Sequence, residues 1–338
     1  MSAGHSASSI SALMAIGAAF LWSTYFFFVL AMTPGTAPTA LLAYPFLVGG
    51  GLYVAWAAWL GHGRLILQLF LEPAAWLRVA LIVIMQLSVL GATYTAGAVN
   101  TSLLSLLGDA AMTPLLAMIV LGEGRYRARS PLFLGGLITA ASGAALTILA
   151  GGTAGPFRGW ALVIAPFVPL AVGGFFVLSA REGQKRPTSA LVAQSTFTGG
   201  LVCAVIAGAL PGGWSGLLVT SPHVLLLIFG LGSTSFFVAT ILYFSAISRS
   251  GIILPTLFQV LIPVFTLGLA ALLLRQIPTP LGLFGIPIAV GGGIIAYRGA
   301  LAPEPPRPSG ALLTEGGALA PDLPLASEER ASSDVRIP

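Results

Sequence analysis

One carboxylate stands well inside a long apolar run of the sequence, at Asp109. It lies about ten residues into the segment 100–121, whose other side chains suit the hydrocarbon core of a bilayer. A charge at that depth is costly, so an intramembrane acid usually faces a cavity and takes part in proton relay or charge binding. Asp109 is therefore predicted either to load and release a proton or to contact a cationic group of a ligand. The alternatives are a protonated Asp109 that hydrogen-bonds a neighbouring helix, and a shifted span that leaves Asp109 near the membrane surface.

Neutral polar and aromatic side chains in other apolar runs are candidates for the wall of the same cavity. Four are amides, namely Gln86, Asn100, Gln194 and Gln259, and five are aromatic, namely Trp22, Tyr25, Tyr44, Tyr94 and Tyr243. Amides inside spans also serve as plain hydrogen-bonded contacts between helices. Aromatic side chains also serve as packing or as an interfacial belt. Both alternatives stay open at this stage.

Three prolines inside apolar runs could bend the helices that carry these side chains. Pro114, Pro255 and Pro263 each remove a backbone donor, and proline inside a helix kinks it. A bent helix can move at the bend. These prolines are predicted to be hinges or kinks.

Residues for other kinds of chemistry are scattered or missing. His5, His62 and His223 have no metal-ligand spacing, and the single Cys203 excludes an intramolecular disulfide. The lone lysine, Lys185, follows no glycine run of a phosphate-binding loop. The basic residues stand singly, without a nucleic-acid-binding motif. The sequence therefore predicts no metal, no cofactor, no nucleotide site, no nucleic-acid partner and no enzymatic activity.

The composition requires a membrane to position these side chains. The 338 residues are 57% hydrophobic and 7% charged, whereas soluble domains carry about 25% charged residues. A membrane-spanning helix needs about 20 mostly apolar residues. Ten such runs are predicted, at 12–32, 38–60, 76–96, 100–121, 131–151, 159–180, 188–210, 222–245, 251–274 and 280–298.

Four regions follow from these runs. They are a short cytoplasmic N-terminus at 1–11, five spans in 12–151 (the first half), five spans in 159–298 (the second half), and a tail at 299–338. The stretch 301–338 holds six acids, three arginines and seven prolines. It is predicted to be disordered, because it has too few large apolar side chains to form a core.

The positions of the cations predict the orientation. With the N-terminus inside, ten Lys and Arg side chains fall on the cytoplasmic side and only Arg158 and Arg275 on the outer side. Cytoplasmic loops carry such an excess of Lys and Arg. Both termini are therefore expected in the cytoplasm, and the protein in the inner or plasma membrane.

The two halves repeat each other at an offset of 149 residues. The clearest matches pair Pro38 with Pro187, Phe26-Phe27 with Phe175-Phe176, Tyr94 with Tyr243, Pro114 with Pro263 and Pro131 with Pro280. Five spans per repeat is an odd number, so the second copy enters the membrane from the opposite side. Inverted repeats are typical of secondary transporters, whose substrate site lies near the midplane between the halves.

The order of these motifs resembles the drug/metabolite transporter superfamily, in particular its EamA-domain members. The resemblance covers 12–298 and is carried by Leu21-Trp22-Ser23, by Tyr94 to Pro114, and by Gly135-Gly136 with their second-half counterparts. It implies an all-α fold of ten transmembrane helices built as two inverted five-helix repeats. The chain departs from the family at Arg127 and Gln276, where members often have an acid.

Together these features predict a secondary transporter that exports small metabolites, amino acids or amphipathic compounds by alternating access. Its expected partners are a small-molecule substrate and the lipid bilayer, as a monomer or homodimer. The alternatives are a uniporter of the same class, or a polytopic membrane enzyme or receptor without transport activity.

Overall fold

The computed structural model describes residues 3–32, 37–106, 112–122, 130–149, 167–210, 213–216, 218, 221–275 and 279–300. Every regular element within these ranges is a helix, and they contain no β-strand. A helix satisfies its own backbone hydrogen bonds, which a bilayer core cannot do. The predicted all-α class is confirmed. The predicted tail lies outside the described residues from 301 onward.

Seven helices are described in the first part of the chain. They are α1 (Ala3–Met32), α2 (Pro38–Trp59), α3 (Gly63–Leu69), α4 (Pro73–Ala96), α5 (Ala98–Leu106), α6 (Thr113–Val120) and α7 (Pro131–Leu149). Proline stands in the first turn of α2, α4 and α6. There its missing N–H has no intrahelical partner to lose, so proline favours a helix start.

The remaining described elements follow from Phe167 onward. They are α8 (Phe167–Gly183), α9 (Thr188–Ala209), α10 (Gly213–Gly216), α11 (Pro222–Leu231), the π-helical segment Gly232–Val238, α12 (Ala239–Ser250), α13 (Ile253–Phe258), a 3-10 turn Gln259–Leu261, α14 (Ile262–Leu274) and α15 (Pro280–Ala300). The segment from α11 to α12 is one continuous helical rod, in which a π-helical segment separates two α-helices.

Six described helices are long and apolar enough to cross a bilayer. They are Ser9–Met32, Pro38–Trp59, Pro73–Tyr94, Thr188–Ala209, Pro222–Ser250 and Ile253–Leu273, and two shorter apolar helices cover Pro131–Thr147 and Pro280–Ala296. Large apolar side chains point outward from them, including Leu226 at 68% and Leu272 at 81% exposure. Such surfaces suit lipid, so the chain is a multi-pass membrane protein.

The predicted spans differ in continuity from these helices. Predicted span 100–121 contains two helices, α5 and α6, with 107–111 outside the described residues. Predicted span 159–180 is described only from Phe167. The count of ten spans therefore stays a prediction.

Helices α7 and α15 pack with their backbones in contact through paired glycines. A Cβ at Gly136 would overlap the backbone nitrogen of Ala296, and one at Gly285 would overlap Thr147. Gly285 lies 149 residues after Gly136, and Thr147 lies 149 residues before Ala296, so the two contacts are equivalent in the repeat. The contacts of Gly143 with Ala289 and of Gly292 with Ala140 are equivalent in the same way. Small residues at such crossings let membrane helices approach closely.

Helices α2 and α9, each 22 residues long, cross in a similarly reciprocal way. A Cβ at Gly50 would lie 2.6 Å from the backbone nitrogen of Phe197, and one at Gly200 would lie 3.0 Å from that of Leu47. These contacts interchange at an offset of 150. Gly136, Gly285, Gly50 and Gly200 therefore lie at close helix contacts that join the two halves.

The register between the halves is not constant, which corrects the expectation of a gap-free repeat. Helix α4 has 24 residues and ends at Gly97, with φ 84° and ψ 169°. The rod Pro222–Ser250 has 29 residues and ends at Gly251, with φ 75° and ψ 175°. The two left-handed glycines are thus 154 residues apart, and the longer rod contains the wider π-helical segment. This departure is local, because Pro114 and Pro263, each the second residue of its helix, are again 149 residues apart.

Candidate functional site

A cavity of about 110 Å³ lies between the two halves. Its wall comprises Trp22, Tyr25, Phe26, Phe46, Ile82, Met85, Gln86, Val89 and Ser105 from the first half, and Val172, Phe175, Phe176, Thr196, Ser235, Phe236, Thr240 and Ile262 from the second. Two pairs, Phe26 with Phe175 and Gln86 with Ser235, are 149 residues apart. The volume admits several water molecules or a small organic molecule.

Seven of the seventeen described lining residues are aromatic, and their rings contact one another or rings just behind the wall. The ring of Trp22 lies 4.9 Å from that of Tyr243 and 5.5 Å from that of Phe176, measured between centroids. The rings of Phe46 and Phe236 are 4.3 Å apart. Such pairs contribute about 0.5–1.5 kcal/mol each beyond their buried area. The wall therefore presents rigid apolar surface to a ligand.

The π-helical segment meets α1 through a small hydrogen-bond network. Nε1 of Trp22 donates to the carbonyl oxygen of Ser235 over 2.9 Å. The hydroxyl of Ser235 donates to the carbonyl oxygen of Leu21 over 2.9 Å. The wider π turn departs from the regular α-helical ladder, and such turns often occur at functional sites. The network fixes both Trp22 and Ser235 at the cavity.

The polar groups on the wall are few and uncharged. Gln86 is buried, and its Nε2 donates to the carbonyl oxygen of Leu41 over 3.3 Å. The hydroxyls of Ser105, Thr196, Ser235 and Thr240 also line the cavity, and the lining residues within the described ranges include no acid or base. An apolar pocket with a few placed polar groups suits a small, largely apolar molecule with one hydrogen-bonding end.

Three of the nine predicted cavity residues line this cavity, namely Trp22, Tyr25 and Gln86. The other six do not line it; these are Tyr44, Tyr94, Asn100, Gln194, Tyr243 and Gln259. Tyr243 is fully buried behind Trp22. Gln259 is fully buried, and its Nε2 lies 3.5 Å from the carbonyl oxygens of Ala15 and Pro255.

Gln194 and Asn100 are completely buried within α9 and α5, and Tyr44 and Tyr94 are partly buried. Neither polar atom of the Gln194 side chain has a hydrogen-bond partner among the described residues. Burial of an unsatisfied amide is costly. Asp109 lies outside the described residues, so its predicted role stays a prediction.

The predicted hinge prolines stand near helix boundaries. Pro114 and Pro263 are each the second residue of their helices, α6 and α14. Pro255 lies within α13, which passes into the 3-10 turn four residues later. A 3-10 stretch within a longer helix often marks a hinge.

The sequence interpretation missed most of the aromatic wall. Phe26 was not among the predicted cavity residues, yet it lines the cavity, as do Phe46, Phe175, Phe176 and Phe236. One usable signal was present, because Phe26 and Phe175 match in the repeat. A repeated aromatic pair at mid-span points to a surface that both halves share.

Four charged side chains, Glu72, Arg78, Glu182 and Arg186, lie near one another outside the cavity wall, where α4 begins and where α8 is followed by α9. Nη1 of Arg186 donates to Oε2 of Glu72 and joins the α8–α9 and α3–α4 connections. This hydrogen bond raises the pKa of Arg186 above its ordinary value. Arg78 is 1% exposed, and its Nε and Nη2 have no hydrogen-bond partner in the described part of the chain. Glu182 and Glu72 interact with it electrostatically.

Groups that could hold a metal ion are missing from the described ranges. They contain no cluster of three or more His, Cys, Asp or Glu side chains. Cys203 is a free, buried thiol.

No family model matches the chain, and no curated protein matches it. One solved structure, described only as "Crystal structure of protein", matches with a TM-score of 0.64 at 20% sequence identity. The match covers 86% of this chain and 98% of the other chain. At this identity the likeness shows a shared fold and carries no information on activity.

Proposed function

We propose that this protein is a secondary transporter that moves small amphipathic molecules across the inner or plasma membrane, in the direction of export. The observation that carries the proposal is the aromatic cavity, because both halves contribute to its wall and it lies near the middle of the long helices. A binding site between two halves can be exposed to either side when one half rocks against the other.

Two features support ten spans arranged as inverted repeats. The glycine contacts of α7 with α15 and of α2 with α9 are reciprocal, as expected if a pseudo-twofold axis relates the halves. Five spans per half would give the two copies opposite orientations. The resemblance of the sequence motifs to EamA-domain transporters favours the same arrangement.

The cation asymmetry supports cytoplasmic termini. A reporter fused after Lys185 should read cytoplasmic, and one inserted within 211–221 should read external. If both reporters lie on the same side, the five-plus-five arrangement is wrong.

Asp109 supplies the proton coupling in this proposal. The lining residues that the structure describes include no acid or base, so an acid in the neighbouring span 100–121 is the natural proton carrier. Asp109→Asn keeps the size of the side chain but removes its titration, and it should abolish flux driven by a pH gradient. Unchanged pH dependence in this folded variant would leave a uniporter as the better description.

Flux into proteoliposomes tests the proposal directly. We suggest three probes that share an aromatic body and differ in charge, namely phenylalanine, benzenesulfonate and benzyltrimethylammonium. At least one should enter protein-containing vesicles faster than protein-free vesicles, and an imposed pH gradient should accelerate its entry. Equal rates with and without protein, for all three probes and under either gradient direction, would contradict the proposal.

A further inference from the structure

A second pocket, of about 130 Å³, lies between α2, α9 and α12 at the end of the bundle that carries Arg249. Ser and Thr contribute four of its nine described lining residues, compared with four of seventeen in the central cavity. They are Thr188, Ser189, Ser245 and Ser248, which line the pocket together with Tyr53 and Trp56. Oγ of Ser189 lies 2.9 Å from Nδ1 of His62, and Oγ of Ser248 donates to the carbonyl oxygen of Ser245. A hydroxyl can make a further hydrogen bond beside these, so the wall can also bind water or the polar end of a ligand.

The pocket continues the faces that line the central cavity. On α9, Thr196 lines the cavity, and Val192, four residues earlier, lines the pocket. On α12, Thr240 lines the cavity, and Phe244, four residues later, lines the pocket. Residues four apart share a helix face and are separated by about 6 Å along the axis. The two spaces are therefore consecutive along the same helix faces.

Aromatic side chains stand at the boundary between the two spaces. Phe236 lines the cavity, and its ring lies 4.3 Å from that of Phe46. The next residue, Phe237, places its ring 5.2 Å from that of Tyr53 in the pocket wall. Both phenylalanines belong to the π-helical segment, so a movement of this segment against α2 would shift both pairs together.

From these observations we infer that the second pocket is the inner vestibule of the transport route, and that it binds the polar end of an amphipathic substrate. This inference rests on the proposed function. The described residues of the pocket wall include no acid, and the exposed Lys185 and Arg249 lie three residues before Thr188 and one residue after Ser248. The vestibule therefore accepts substrates whose polar end is uncharged, zwitterionic or anionic, and disfavours cations.

Cysteine labelling tests the route without relying on flux. Cys203 is the only cysteine, so Cys203→Ala provides a thiol-free background. Thr196→Cys then places one thiol in the central cavity, and a membrane-impermeant methanethiosulfonate is added to one side of sealed vesicles. Adding Ser245→Trp should slow labelling from the Arg249 side at least tenfold and leave labelling from the other side unchanged. Leu226→Trp, on the lipid-facing surface, is the matched control and should change neither rate.

The outcomes separate this inference from the proposed function. Ser189→Trp is a second substitution that fills the pocket. If Ser245→Trp and Ser189→Trp both leave labelling from the Arg249 side unchanged, the route bypasses the pocket and the inference is overturned. If Thr196→Cys reacts from neither side, the cavity is closed to water, and the proposed function is overturned as well.

A second labelling experiment tests the chemical class of the ligand. Cysteines at Ser189 and Ser245, which line the pocket, are compared with cysteines at the fully buried neighbours Ala190 and Ala246. The first two should react and the second two should not. Each labelling rate is divided by the rate of the same reagent with free cysteine. The resulting ratio should be higher for the anionic sulfonatoethyl reagent than for the cationic trimethylammonium reagent. Preference for the cationic reagent, or equal reaction at all four positions, would contradict the vestibule.

Discussion

The indole nitrogen of Trp22 donates a 2.9 Å hydrogen bond to the carbonyl oxygen of Ser235. Trp22 belongs to α1 of the first half, and Ser235 lies in the π-helical segment of the second half. Both line the central cavity. The bond therefore links the two halves at the proposed substrate site, where a movement of one half would change the shape of the cavity.

Trp22→Phe removes this donor and keeps an aromatic ring beside Tyr243. We expect the folded protein to lose about 1–3 kcal/mol of stability, because the Ser235 carbonyl is left without its side-chain donor. Flux of the transported probe should fall as well. Thermal unfolding in detergent and initial flux in proteoliposomes measure the two effects.

Trp59→Phe is the control, because Trp59 is 81% exposed at the end of α2. It should leave both measurements at the parent values. Equal effects of the two substitutions would show that loss of an indole is harmful anywhere in the chain, and the specific role of Trp22 would be wrong.

Alanine substitution at two adjacent glycines of α7 should have different effects on the yield of folded protein. Gly136→Ala forces a methyl group into the backbone of α15 at Ala296, whereas a Cβ at Gly135 meets nothing within 4 Å. Gly136→Ala should sharply reduce the yield of folded protein in fluorescence-detected size exclusion, and Gly135→Ala should not. Normal yield of Gly136→Ala would mean that the close α7–α15 contact is absent in the membrane.

Methionine substitutions at the buried Gln86 and Gln194 should have different effects on flux and on stability. Gln86 lines the cavity, whereas Gln194 is buried without partners among the residues that the structure describes. Gln194→Met removes an unsatisfied amide and should stabilise the protein by about 1–3 kcal/mol without changing flux. Gln86→Met should reduce flux severalfold. Loss of flux in Gln194→Met, with normal folding, would place that amide on the transport route.

The sequence was sufficient for the membrane class and for part of the site. Apolar runs and helix-starting prolines mark the helices, since bilayer thickness sets their length. Trp22, Tyr25 and Gln86 stood out because amphipathic or polar groups are rare in mid-span. Gly136 and Gly285 stood out because small residues recur at close helix contacts.

Other features depend on contacts that no local pattern encodes. A phenylalanine such as Phe46 in an apolar run is compatible with a position against lipid, in the core or at a cavity. The packing of α2 against the π-helical segment determines which of these positions it takes. The π turns themselves shift the register by adding residues to one rod. The constant offset of 149 therefore fails locally, between Gly97 and Gly251, and holds again at Pro114 and Pro263.

The most direct test of the account fills the central cavity. Thr240→Trp adds a bulky ring to the cavity wall, and Leu226→Trp adds the same ring to the lipid-facing surface. The measurement is the initial flux, in proteoliposomes, of the aromatic probe that the parent protein carries fastest. The account predicts that folded Thr240→Trp protein loses at least nine-tenths of this flux while Leu226→Trp retains it. Parent-level flux through folded Thr240→Trp protein would contradict a transport site in this cavity.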